Sequence, residues 1–254
     1  MGCSLWSSNT RRPRPERANV ARAWETLERI ETEAGPLELR QRGEGDFLIT
    51  VAGRVLMNSH ANRSELALAE LTCAALDPGP TPRLLLGGLG MGCTLRAALD
   101  ALPLTARVDV VELSPEVAGW CRGPLARVNG DALSDPRVHL EVADVAGVIT
   151  RASRAPQTEA YDAILLDLYE GPHAGSHPRD DPFYGGRALA QTRRALAPGG
   201  LFAIWAEAPD RGFDTRLRAA GLASEIHRPG KGGLRHAVHL ARRPGSPAAK
   251  AAPA

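Results

Sequence analysis

Hydrophobic positions change texture as the chain proceeds. Between residues 37 and 58 Phe47, Ile49 and Val51 alternate with Leu48 and Thr50, the period of two that sets one side of a strand against a core. Three short strands are predicted, at 37–42, 46–51 and 54–58, joined at Gly43-Glu-Gly45 and at Ala52-Gly53 as tight hairpins. Three strands bury too little to fold alone, so this meander is expected to lean on a larger domain or on a second subunit. A helix follows over 64–76, with Ser64 as its N-cap and Glu65 and Glu70 on its early turns. Asp77-Pro-Gly-Pro80 ends it.

Beyond residue 80 strands and helices alternate. Strands at 83–86, 107–111, 138–142, 161–166 and 201–206 precede helices at 94–101, 115–121, 145–154, 187–196 and 213–220. Alternation of this kind predicts a parallel sheet covered on both faces. Leu84-Leu-Leu86 and Ala163-Ile-Leu-Leu166 are unbroken apolar runs, as doubly covered strands require. The last two strands, at 224–227 and 235–241, are joined by so few residues that they must pair antiparallel, since a parallel pair needs a crossover of about a dozen or more. The expected fold is therefore α/β, a Rossmann-like doubly wound sheet with an antiparallel last strand, preceded by a small N-terminal β meander. Residues 1–22 are rich in Arg, Pro and Ser and 244–254 in Pro and Ala, and both are expected to be disordered. That leaves a small β region with its linking helix at 23–80 and a nucleoside-binding catalytic domain at 81–243.

The chemistry concentrates where strands end. Arg83-Leu-Leu-Leu-Gly-Gly-Leu-Gly-Met-Gly-Cys-Thr-Leu-Arg96 runs from a strand through a glycine cluster into a helix, and a second strand ends in Glu112 about 20 residues on. Gly87, Gly88, Gly90 and Gly92 let backbone and ligand approach closely, and an acid at the next strand end accepts hydrogen bonds from ribose hydroxyls. A dinucleotide fingerprint places a third glycine where this chain has Cys93. Together with the antiparallel last strand, this favours an adenosyl ligand of the S-adenosylmethionine type over NAD. Asp144 follows the third strand, where an acid can also serve as the N-cap of the next helix. Asp167 follows the fourth, at the crevice where open α/β sheets bind ligands. The long segment 170–186 is expected to be a lid or binding element.

Charge and cysteine content exclude more than they assign. A formal charge of +2 in 254 residues gives no reason to expect a nucleic-acid partner. Cys3, Cys73, Cys93 and Cys121 have no metal-ligand spacing, so no metal is expected, and buried thiols suit a reducing compartment. No apolar run approaches the ~18 residues of a membrane span, and Met1-Gly-Cys-Ser-Leu-Trp6 has no apolar stretch behind it. The expectation is a soluble cytoplasmic enzyme.

The glycine segment is similar to that of spermidine synthases, the polyamine aminopropyltransferases, and of their bacterial relatives, within the class I S-adenosylmethionine-dependent methyltransferase fold. Asp135-Pro-Arg-Val138 with Ala143-Asp144, and Arg194-Ala-Leu-Ala-Pro-Gly-Gly200, carry the same resemblance, as does the meander followed by a helix bearing Ser64 and Glu65. The resemblance implies a transferase of polyamine biosynthesis that moves an aminopropyl group from decarboxylated S-adenosylmethionine to a polyamine-like amine. It implies that Glu112 holds the ribose, Asp144 the adenine amino group, and the Gly87–Gly92 loop the amino-acid or aminopropyl portion. It makes Asp167 the acid that deprotonates or orients the amine, with Glu170 as its partner and Glu65, Glu70 and Tyr169 near the acceptor. A homodimer is a further implication. The chain departs from the family in reading Asp167-Leu-Tyr-Glu-Gly-Pro172 for Asp-x-x-Asp-Pro, and in placing Leu68 and Ala69 where the family has Tyr and Gln or His. Plain S-adenosylmethionine, used for methyl transfer to a small molecule, is the alternative that these departures keep open. A scaffold that binds the nucleoside without catalysis is the other.

Overall fold

The computed structural model describes residues 22–77, 79–169, 171–172, 180–229 and 236–245; the arm and tail read from composition fall outside these except at their inner ends. Two sheets organise the chain. The first is antiparallel and in sequence order, β1 (Glu25–Thr32), β2 (Gly35–Arg42), β3 (Asp46–Val51) and β4 (Arg54–Asn58). Ala52 and Gly53 both take positive φ, 46° and 78°, at the β3–β4 turn, as a two-residue hairpin demands.

β1 is a strand that the hydrophobic pattern does not predict. It is an edge strand, exposed along almost its whole length, so no buried face imposes a period of two on its residues. Backbone pairing with β2 holds it, interrupted by a bulge between Thr26 and Glu28, and the Trp120 indole N–H donates to Glu28 Oε2 at 2.6 Å.

The second sheet has seven strands, β5 (Arg83–Gly87), β6 (Arg107–Glu112), β7 (Val138–Val142), β8 (Tyr161–Leu166), β9 (Leu196–Ala206), β10 (Ala223–His227) and β11 (Ala237–Arg242), in the spatial order β10-β11-β9-β8-β5-β6-β7. β11 runs antiparallel to both its neighbours, and the pairs among β5 to β9 are parallel. The helices are α1 (Arg63–Ala75), α2 (Cys93–Ala101), α3 (Pro115–Arg122), the short α4 (Ala126–Asn129), α5 (Val145–Ala152), α6 (Gly186–Ala195) and α7 (Arg211–Ala219). None among the described residues is long and apolar enough to cross a membrane.

Two local expectations need correction. The N-cap of α1 is Asn62, not Ser64, and no side chain caps this end. Ser64 lies two residues further in, within the first turn and buried, where its hydroxyl bonds other side chains. β9 begins at Leu196, five residues before the predicted start: Leu196 pairs with Tyr161 ahead of an irregularity in the register, and Gly199 and Gly200 bond to the residue that follows β11. Gly199 donates to the Arg243 carbonyl at 3.0 Å and the Arg243 N–H to Gly200 at 2.8 Å.

Adjacent residues of the central strands face opposite layers, and both layers are buried. Leu84, Leu86, Val108, Val110, Ala163 and Leu165 join one cluster, while Leu85, Val111, Ile164 and Leu166 join the other. The first cluster also contains Leu37, Leu39, Phe47, Ile49 and Val51. The antiparallel sheet thus completes its own burial against the parallel sheet and α1–α3, which meets its need for a partner.

Candidate active site

The carboxyl ends of β5, β6, β7 and β8 open together on a cavity of about 610 Å³. The chain leaves β5 through Gly87 and Gly88, and the Gly88 N–H donates to the Val111 carbonyl at 3.0 Å, tying the loop to β6. Gly88 has φ +84°, and a Cβ there would collide with the Asp167 carbonyl oxygen. Only glycine satisfies both constraints. Gly90, at φ +52°, lies under the Met57 thioether with no room for a side chain. Both line the cavity.

Glu112, the last residue of β6, is buried to 9% exposure. Its Oε2 accepts from Leu89 N at 2.8 Å and its Oε1 from Ser114 N at 2.9 Å. One carboxylate therefore fastens the glycine loop to the start of α3, and each oxygen retains a lone pair for a further donor. Asp144 lines the same cavity from the end of β7. It also caps α5, accepting from Ala146 N at 2.9 Å, so the capping role and a place on the cavity coexist.

Asp167 follows β8, anchored by its N–H to the Gly87 carbonyl at 2.8 Å. The Thr94 hydroxyl, buried at the start of α2, donates to its Oδ2 at 2.5 Å. Burial pushes the Asp167 carboxyl up to about 7; the Thr94 hydrogen bond opposes this and the negative charge of Glu65 adds to it. Such a carboxyl exchanges its proton near neutrality, the range in which general bases operate. Glu65 lines the cavity from α1. Ser64 Oγ donates to its Oε2 at 2.7 Å, and His236 Nδ1 lies 2.9 Å from the same Ser64 oxygen.

A protein with related sequence is the polyamine aminopropyltransferase of Mycobacterium tuberculosis, 33% identical over 170 residues that make up 67% of this chain and 30% of that protein. The spermidine synthase of Thermotoga maritima superposes with a TM-score of 0.67 at 17% identity, over 88% of this chain and 74% of that one. The chain is thus similar in sequence to polyamine aminopropyltransferases, and its fold is that of the spermidine synthases and class I methyltransferases. The human methyltransferase-like protein 13, solved with SAH, shares the fold more distantly, with a TM-score of 0.51 at 21% identity over 76% of this chain and 84% of that one. No protein-family model matches the chain, and it spans about a third of the length of the first curated relatives it matches.

On this spermidine synthase-like scaffold the residues singled out by sequence separate into two groups. Gly88, Gly90, Glu112, Asp144, Asp167, Glu65 and Tyr169 share the cavity. Tyr169 is 41% exposed, with the Arg54 guanidinium over its ring at 5.6 Å. Gly87, Gly92 and Glu70 do not line it. A Cβ at Gly87 would press on Leu166 and Val145, and one at Gly92 on Asn129, so these glycines serve packing. Glu70 is exposed, on another side of α1 from the buried Ser64. Glu170 lies outside the described residues, as do His173 and His177.

Five residues complete the site in roles that sequence reasoning did not give them. Thr94 was legible only as part of a family motif, and its bond to Asp167 spans 73 positions. Ser64 and His236 belong to distant elements, and nothing local marks them as partners. Met57 and Trp205 read as core, and both line the cavity. The Trp205 indole N–H is buried with no hydrogen-bond partner among the described residues, and its ring meets His236 edge-on at 5.1 Å.

Proposed function

We propose that this chain transfers an aminopropyl group from decarboxylated S-adenosylmethionine to an amine, of the polyamine-like kind that the name of its relatives implies. The observation that carries the proposal is the placement of Asp167, a carboxyl poised near neutrality, on the same cavity as Glu112 and Gly88. The residues present fit the donor. Glu112 is held so that its remaining lone pairs are available to ribose hydroxyls, Asp144 is available to the adenine amino group, and Gly88 and Gly90 leave backbone open beneath the sulfur-bearing chain. Glu65 and Asp167 supply negative charge to a cationic donor and a cationic amine.

The donor supplies a carbon bonded to a sulfonium, which leaves as a neutral thioether. The protein's tasks are alignment and removal of a proton. A primary amine, with pKa near ~10.4, arrives protonated. Asp167 takes one proton, and the freed nitrogen lone pair forms the new C–N bond as the C–S bond breaks with its electrons going to sulfur. Asp167 then returns its proton to water. Thr94 keeps the carboxyl turned into the cavity, and Glu65, fixed by Ser64, favours the ammonium's approach.

Calorimetric titration with decarboxylated and with ordinary S-adenosylmethionine tests the donor, and mass spectrometry of the amine product tests the transfer. The expected results are tighter binding of the decarboxylated compound and a product heavier by one aminopropyl group with methylthioadenosine released. Preference for the carboxylated donor, with a methylated product, overturns the proposal in favour of a methyltransferase.

A further inference from the structure

His236 reaches a cavity carboxylate through Ser64, and the role inferred for it rests on the aminopropyl-transfer reading. Glu65 and Asp167 face the same cavity, and the negative charge of Glu65 acts on Asp167. Two like charges so placed repel, and a half-buried glutamate keeps the rotamer freedom to swing away. The wall of the cavity on β2–β4 consists of Leu37, Ile49, Val51, Met57 and the partly exposed Leu56, whose hydrocarbon offers a carboxylate no hydrogen bond. Ser64 offers one. Its hydroxyl, in a residue only 5% exposed, donates to Glu65 Oε2 at 2.7 Å.

Successive residues on a helix do not ordinarily face one another, so the Ser64 hydroxyl needs a second partner to stay turned toward Glu65. That partner is His236, immediately before β11, with Nδ1 at 2.9 Å from the serine oxygen. A serine hydroxyl has one proton. Once it is committed to Glu65, the contact with His236 is a hydrogen bond only if Nδ1 carries a proton and donates it. An N–H given to the serine oxygen also strengthens the bond that oxygen makes to Glu65, since hydrogen bonds in a chain polarise one another. The imidazole is in turn oriented by Trp205, a cavity residue whose ring it meets edge-on at 5.1 Å. We propose that His236, in its Nδ1–H form, is a positioning residue for the transfer. Through Ser64 it holds Glu65 beside Asp167, where the carboxylate receives the acceptor's ammonium.

The first test uses the wild-type protein, because 15N NMR of the imidazole at pH 8 distinguishes its tautomers. The Nδ1–H form is expected; a ring protonated at Nε2 alone accepts from Ser64, leaves Glu65 without its donor and overturns the proposal. Two substitutions then separate the donor from the ring. His236→Asn keeps an N–H at the δ position and loses the ring, whereas His236→Phe keeps a ring beside Trp205 and loses the N–H. Turnover is followed with decarboxylated S-adenosylmethionine and the best used of 1,3-diaminopropane, 1,4-diaminobutane and 1,5-diaminopentane. His236→Phe is expected to raise the KM for the amine roughly 2–10-fold, the effect of one lost hydrogen bond, with kcat and the Kd for methylthioadenosine moving less than about twofold. His236→Asn is expected to restore the wild-type KM. Beside Ser64→Ala the Phe substitution is expected to add nothing, because both act through one bond. A His236→Phe enzyme with the wild-type KM, an Asn variant weaker than it, or a loss that persists undiminished beside Ser64→Ala overturns the proposal and leaves aminopropyl transfer standing. A methylated product from ordinary S-adenosylmethionine, with no aminopropyl adduct, overturns the transfer reading and this role with it. The tautomer decides if a variant does not fold.

Discussion

The parallel and antiparallel sheets meet at one cavity and give it opposite chemistry. The parallel sheet contributes through its strand ends, where the chain has left the core and polar groups meet no packing demand. Glu112, Asp144 and Asp167 all stand there, at a strand's last residue or within two residues past it. The antiparallel sheet contributes through its face, and that face is also what buries the sheet. Leu37, Ile49 and Val51 must be apolar for the meander to dock at all. Strand ends can therefore carry polar chemistry, whereas the buried part of the facing wall, Leu37, Ile49 and Val51, cannot.

Asp167→Asn separates the two roles most sharply. Turnover is expected to fall by about 10²–10⁴-fold, the usual contribution of a positioned acid or base, measured as methylthioadenosine release. Stability is expected to move the other way. The Asp167 carboxyl is raised to about 7 in the fold, above its ordinary value of about 3.9, so the native state binds this proton more tightly than the unfolded chain. Its contribution is present at low pH and is lost as pH rises from about 4 to about 7. The Asn variant is therefore expected to melt above the wild type at pH 8, with the gap closing at pH 5. In the wild type kcat/KM is expected to climb through about pH 7 with an inflection that the variant lacks.

Ile49→Ala attacks the other sheet. Ile49 is 2% exposed, and truncation leaves a cavity costing about 2–5 kcal/mol, read from chemical denaturation. An effect under about 1 kcal/mol would show that the meander docks without this contact and would break the contrast. Glu112→Ala lies between the extremes. It strips acceptors from Leu89 N and Ser114 N, each costing about 1–3 kcal/mol when left buried and unsatisfied. The Kd for methylthioadenosine is expected to rise about 10–100-fold, with a clear loss of melting temperature as well. Ser64→Ala is the mildest. It removes the hydrogen bond to Glu65, worth about 0.5–1.5 kcal/mol, and is expected to lower kcat/KM roughly 2–10-fold, with Ser64→Thr restoring most of it.

The same contrast explains what could be read in advance. Continuous apolar runs and glycine clusters are local, so β5 to β9, the antiparallel finish and the glycine loop were visible in the residues themselves. β1 was invisible because an exposed edge strand carries no hydrophobic period. Ser64 looked like a helix cap because serine near a helix start usually is one. Its actual partner, His236, lies 172 positions away, and short-range patterning holds no trace of such a pairing. Met57 and the wall of β2–β4 were legible as core, and their second role emerged only once the sheets were seen to share a cavity.

Gly88 couples the donor side of the pocket to the reacting acid. Because its missing side chain is what lets the Asp167 carbonyl sit where it does, any drift in the nucleoside loop also moves the proton acceptor. Divergence toward new acceptors is thereby channelled away from the loop and into β4, where Leu56 is partly exposed and can change without disturbing either. A directed library meant to alter what this scaffold modifies has its most productive starting point there.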